Sequence, residues 1–132
     1  MEKDSISLSD AEWKVMEELW NCKSATGREL CEQMDKRCGW NRSTTLTLLR
    51  RMEGKGAVES AQEGSVKVFR PLLRREEAAL RETESFLGRV YHGSLSMMVS
   101  TLSRKQALSR KEIDELYALL KEAEVKKNEL DD

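Results

Sequence analysis

The sequence predicts a mainly α protein with a small β-hairpin, arranged as a head followed by a helical tail. Three observations carry this. Apolar residues recur at helical spacing through most of the chain. Between Gly56 and Pro71 that spacing gives way to two short runs with strand character, Ala57 to Ser60 and Ser65 to Leu72, with Gly64 supplying the turn. After Pro71 the chain becomes long, charged and helical in pattern again. The head is therefore expected over residues 1–73 and the tail over 74–132.

Residues 1–7 read as a loose leader. Ser9-Asp-Ala-Glu12 forms a capping box, with Leu8 and Trp13 at the positions of a hydrophobic staple across it. A first helix follows from about Asp10 to Trp20, and its stripe of Trp13, Met16, Leu19 and Trp20 is assigned to the core. Thr26-Gly-Arg-Glu29 is a second capping box. It opens a helix through about Arg37, with Leu30, Cys31 and Met34 inward and Gly39 at its end.

The stretch from Trp40 to Pro71 organises the rest. A third helix opens at Asn41 or Ser43, both capping residue types. Leu48, Leu49 and Met52 fall on one side of it, while Ser43, Thr47 and Arg50 fall on the other, flanked by Thr44 and Arg51. Gly54 and Gly56 stop it, and the hairpin follows with Val58 and Phe69 on its core side. Helix, tight turn and hairpin in this order, with hydroxyls and arginines on the free face, suggest a winged helix-turn-helix that reads double-stranded DNA. Ser43, Thr44, Thr47 and Arg50 are the candidates to reach base edges. Leu46, to one side, either touches a thymine methyl or completes the core. Arg42, Arg51 and Lys55 are candidate phosphate contacts, joined by Lys67, with Ser65 as a further candidate, from the wing and by Ser24 or Thr26 at the N-terminus of the second helix.

Charge is informative locally rather than globally. The 132 residues carry a net charge of −1, with 36% charged and 39% apolar residues. From Lys36 to Lys55, however, six basic residues face a single acid, Glu53, the kind of stripe that phosphate neutralisation uses. A solvated helix face is the bland alternative. No apolar run approaches the ~20 residues of a membrane span, and the N-terminus lacks a signal-peptide core, so a cytoplasmic protein without membrane insertion is expected. Three cysteines, Cys22, Cys31 and Cys38, form no C-x-x-C pair. Their odd number argues against a disulfide framework, and half-buried thiols are the simpler reading beside a redox or metal sensor.

In the tail, Glu76 to Ser100 reads as a long helix with Leu80, Leu87, Val90, Tyr91, Met98 and Leu102 along a broad stripe. Gly88 and Gly93 mark places where it bends, breaks or admits another helix. Ser109 with Glu112, and Leu108 with Ile113, give a third capping box and staple. They start a last helix with Ile113, Leu116, Tyr117 and Leu120 on one face, and fraying is expected from Lys126. Two amphipathic helices outside a small head bury little alone, so a homodimer through these residues is expected rather than folding back onto the head. Two heads would then face two half-sites.

Several of these segments together resemble the BlaI/MecI/CopY family of bacterial repressors. The matching residues are LSDAEWKVMEELW (Leu8 to Trp20), Thr26 to Leu30, W-x3-T-x2-T-L-L-x-R (Trp40, Thr44, Thr47, Leu48, Leu49, Arg51), EGKG (Glu53 to Gly56), the wing ending FRPL, and FLGRVYHGSL (Phe86 to Leu95). The likeness covers about residues 6 to 122. It implies a winged-helix head, a dimerisation tail and repression at paired half-sites. Ser43 and Leu46 stand where the antibiotic-resistance repressors have basic residues, so their operator does not carry over. Those repressors are inactivated through a sensor-protease pathway that cleaves the tail. The matching bond here is Thr101–Leu102, in place of their Asn–Phe. The paired C-x-C motifs of the copper-responsive branch have no counterpart in this cysteine-free tail.

No cofactor is implied, and an enzyme is disfavoured. His92, the one histidine, lies in the tail, and no G-x-S-x-G, phosphate-binding glycine loop or H-E-x-x-H is present. The remaining rivals are a winged-helix protein-interaction module and a thiol- or ligand-responsive regulator.

Overall fold

Local capping chemistry sets where the helices begin. In the computed structural model, which describes residues 6–105 and 107–131, α1 (Asp10–Cys22) starts at the Ser9 box. Ser9 Oγ accepts from the Glu12 amide at 3.1 Å, and Glu12 Oε1 accepts from the Ser9 amide at 2.8 Å. The Thr26–Glu29 box does the same for α2 (Gly27–Cys38), at 3.1 and 2.9 Å. For α3 (Arg42–Lys55) the cap is Asn41 rather than Ser43: its Oδ1 accepts from the Thr44 amide at 2.9 Å. Gly56, with φ +84°, ends α3 in the left-handed conformation, whereas Gly54 remains inside the helix. Residues 1–5 of the expected leader lie outside the described residues.

The hairpin comprises β2 (Val58–Glu63) and β3 (Val66–Pro71), paired antiparallel from Val58 opposite Pro71 to Glu63 opposite Val66. A two-residue strand that sequence reading missed, β1 (Ala25–Thr26), pairs with the other edge of β3, Ala25 opposite Phe69 and Thr26 opposite Val68. The sheet order is thus β1-β3-β2. β1 fastens the start of α2 to the base of the wing.

The head core is built from Val15, Met16 and Leu19 of α1, Leu30 and Met34 of α2, Leu48, Leu49 and Met52 of α3, and Val58 and Phe69 of the sheet. One expectation changes. Trp13 and Trp20 are half-buried rather than central, because each indole N–H needs an acceptor. Trp20 packs on the core edge and donates to the Leu73 carbonyl at 2.8 Å. Trp13 donates to Glu17 and stands edge-on to Trp20, with centroids 5.2 Å apart. Cys31 is half-buried, in keeping with the expectation of half-buried thiols.

The chain divides into two compact units, the first ending at Thr83 and the second beginning at Glu84. The division falls inside α4 (Arg75–Tyr91) rather than ahead of it, as Ala78 of its first turns is buried. The expected long helix is interrupted: His92 and Gly93 take positive φ, 53° and 84°. Ser94 then caps α5 (Leu95–Arg104), accepting from the Met97 amide at 3.1 Å. The Ser109–Glu112 box opens α6 (Arg110–Asp131), which continues past the fraying expected from Lys126. From residue 84 to residue 131, no described residue is fully buried. No described helix is long and apolar enough to cross a membrane.

Lys55 departs from its expected role as a phosphate contact. Its ammonium donates to Glu12 Oε1 at 2.6 Å and to the Ser7 carbonyl at 2.8 Å, tying the end of α3 to the start of α1. Glu12 is fully buried. Desolvation raises its pKa, but the Lys55 and Ser9 contacts outweigh this and hold it below the ordinary 4.5. A depressed carboxyl pKa contributes stability above its ordinary value and loses it as the pH falls through the folded value. Lys55→Met should therefore destabilise the protein by about 3 kcal/mol at pH 7, leaving a buried carboxylate unpaired. In urea unfolding the difference from the parent should shrink well below pH 4.5.

Candidate nucleic-acid interface

The pitch of α3 decides which of its side chains are free. Thr45, Leu48, Leu49 and Met52 fall on one side at helical spacing and are buried. Ser43, Thr44, Thr47, Arg50 and Arg51 are consequently exposed. Arg42, Leu46 and Glu53 occupy the flank between these two sides. Among the described residues, no carboxylate lies within ion-pair distance of Arg42, Arg50 or Arg51. Their guanidinium groups are available to an external anion.

On the Arg42 flank, a groove of about 350 Å³ runs between α3, the start of α2 and the wing. Thr26, Arg28, Arg42, Arg50 and Lys67 line it, and Glu53 is the acidic residue in its wall. Thr26 is half-buried, and its hydroxyl oxygen already accepts from the Glu29 amide, so its O–H remains as a donor. Lys67 stands 3.7 Å from Glu53 and over the Phe69 ring at 5.5 Å from the centroid. Leu46, Leu49, Val66 and Phe69 form the groove's apolar part. β1 holds this arrangement, because its pairing sets the α2 N-terminus against β3, where Gly27 packs close to Phe69 and Leu46.

The sequence candidates Thr26, Arg42, Arg50 and Lys67 thus meet at one groove, and Ser43, Thr44, Thr47 and Arg51 continue its surface along α3. Lys55 does not join them. Arg28 was missed. It precedes the basic stripe in sequence and joins it through the fold, with an exposed pair to Glu32 at 3.5 Å as its one competing ion pair among the described residues. Glu53 was noted as an interruption in the stripe and not as part of the groove. Thr45 was also unassigned, although its spacing to Leu48, Leu49 and Met52 marks the inward face.

Two of the three thiols have their thiolate form disfavoured. Burial pushes Cys22 and Cys31 up from their ordinary pKa, with Glu18 adding to this at Cys22 and Arg42 opposing it at Cys31, which disfavours the reactive thiolate. Among the described residues, no group of three His, Cys, Asp or Glu side chains is placed to hold a metal.

A helix with an exposed hydroxyl and guanidinium face, beside a basic groove and a β-hairpin, defines a winged helix-turn-helix DNA-binding protein. The family model described as penicillinase repressor matches residues 8–122. A penicillinase repressor of Bacillus licheniformis is 35% identical over 122 residues, spanning 92% of this chain and 95% of that protein. The methicillin resistance regulatory protein MecI of Staphylococcus aureus (strain N315) is 27% identical over 120 residues, covering 91% and 98%. Among solved structures, the DNA binding domain of the repressor BlaI superposes with a TM-score of 0.52 at 32% identity, over 58% of this chain and 93% of that one. The Bacillus licheniformis BlaI monomeric form in complex with the blaP half-operator gives 0.50 at 32%, over 55% and 88%. The chain belongs to the penicillinase repressor family of DNA-binding transcriptional repressors, which are not enzymes.

The inward position of Thr45 is testable apart from DNA. Its buried hydroxyl has no hydrogen-bond partner among the described residues, so Thr45→Val should raise stability by about 1 kcal/mol in thermal unfolding. DNA affinity should stay unchanged.

Proposed function

We propose that this repressor acts in the cytoplasm as a homodimer on an operator of paired half-sites, each head inserting α3 in the major groove. The carrying observation is the exposed face of α3, with three guanidinium groups that no carboxylate of the described residues neutralises. Ser43, Thr44, Thr47 and Arg50 are the proposed base readers. Arg42, Arg51, Lys67 and Thr26, with Arg28 added, are the proposed backbone contacts. The relative solved as a monomeric form with a half-operator supports one head per half-site.

Residues 1–73 would then serve as the DNA-binding domain and 74–132 as the dimerisation domain, with the start of α4, as far as Thr83, belonging to the compact unit of the head. Leu87, Tyr91, Met98, Ile113 and Leu116 are half-buried, and Val90, Leu102, Tyr117 and Leu120 are exposed. Apolar surface of this extent, with no fully buried residue beneath it, favours cover by a second copy. Relief of repression through a sensor-protease pathway would act at Thr101–Leu102. That bond lies within α5, where the Thr101 hydroxyl donates to the Met97 carbonyl at 3.0 Å, so cleavage would require local unwinding.

Titrating the purified chain against duplex DNA from upstream of its own gene, at two salt concentrations and beside a scrambled duplex, tests the DNA reading. Tight, salt-dependent binding that prefers the upstream duplex is expected. Absence of binding even at low salt would favour the protein-interaction module. Arg51→Ala should weaken binding to both duplexes and reduce the slope of log K against log salt by about 0.9.

Leu116→Asp would place a charge in the proposed dimer face, and sedimentation should then report monomers. Persistence of dimers would remove Leu116 from that face.

A further inference from the structure

Glu53 is the one acidic residue lining an otherwise basic groove, where a carboxylate repels the phosphates the groove would hold. Its contacts give it a role. From the last turn of α3 it reaches both strands of the wing: one oxygen accepts from the Ser60 hydroxyl on β2, and Oε1 stands 3.7 Å from Lys67 Nζ on β3. The hairpin register makes this possible. Gln62 lies opposite Lys67 and Ser60 opposite Phe69, so these four residues share one face of the sheet.

We propose that Glu53 is a positioning residue that holds Lys67 as an internal counter-ion in the free protein and releases it to a DNA phosphate on binding. This rests on the DNA-binding reading of the face. The pair suits exchange. Its side chains are 54% and 36% exposed, so water screens it and little is lost when a phosphate takes the lysine. Lys55 offers the contrast, since its partner Glu12 is fully buried and the pair is fixed. Ser60 keeps hold of Glu53 when Lys67 leaves. The lysine is therefore ready near the backbone, and the cost of freeing it tempers wing binding to any duplex.

The test is a double-mutant cycle on the full chain, read by fluorescence anisotropy with upstream and scrambled duplexes across a salt series. Glu53→Gln keeps the shape of the side chain and an acceptor for Ser60. It should bind both duplexes about two- to fivefold more tightly at low salt. Lys67→Met should bind more weakly, with a salt slope lower by about 0.9. In the Lys67→Met background, the gain from Glu53→Gln should be clearly smaller, because only the removed repulsion remains and no lysine is left to free. An equal gain in both backgrounds would mean simple charge removal and would overturn the exchange, as would unchanged or weaker binding by Glu53→Gln. Failure of the unsubstituted chain to bind either duplex would overturn the DNA reading with it, whereas normal binding by that chain confines a failure to Glu53.

Discussion

The head depends on one constraint: α3 must bury one side while leaving the other bare. Leu48, Leu49, Met52 and Thr45 are locked among side chains of α1, α2 and the sheet. Each large apolar side chain so buried contributes about 1.5–3 kcal/mol. Turning α3 by one residue would expose part of this surface and press Arg50 or Arg51 against the core, and an unpaired buried guanidinium is costlier still. The outward face is thus a consequence of packing. The Lys55–Glu12 contact fixes the far end of the helix, and β1 fixes the groove beside it.

The same packing explains how a chain of net charge −1 presents a cationic surface. Its acids are spent internally or along other edges: Glu12 on Lys55, Glu18 on Arg37, Glu63 on Arg70 and Glu17 on Arg75. Arg42, Arg50 and Arg51 are left without such partners among the described residues. The field a phosphate meets is set by this local distribution, not by the total. Glu53 is the exception, and a bidentate position between Ser60 and Lys67 accounts for its presence in the groove.

What the sequence revealed follows from the range of each interaction. The capping boxes at Ser9, Thr26 and Ser109 are contacts across three residues, so spacing alone disclosed them. The hairpin was legible from its turn glycine and its change of period. β1 was not, because two residues carry no alternation and are made a strand only by pairing with β3. Lys55 looked like a member of the basic stripe because its partner, Glu12, lies far away in sequence. Trp13 and Trp20 looked like core because size and spacing say so, while the acceptors that hold their indoles at the edge belong to Glu17 and to Leu73. On α3 the outward residues were legible from period, and Arg28 was not, since only the fold brings α2 beside them.

The tail differs from the head in its energetics. The head closes a core of its own, whereas α5 and α6 contain no fully buried residue and leave Leu95, Met97, Leu119 and Val125 about half exposed or more. Helices of this kind derive most of their stability from packing of an apolar face rather than from propensity. In the proposed dimer that packing and DNA binding would support each other. Joining two heads makes the second half-site contact intramolecular, raising the effective concentration of the second head without any new base contact. A head with one such cationic face and a weakly held wing lysine can then remain loose on random DNA as a single unit. It would grip firmly only where two half-sites are spaced to suit both heads, so that selectivity arises from the geometry of the pair as much as from α3 itself.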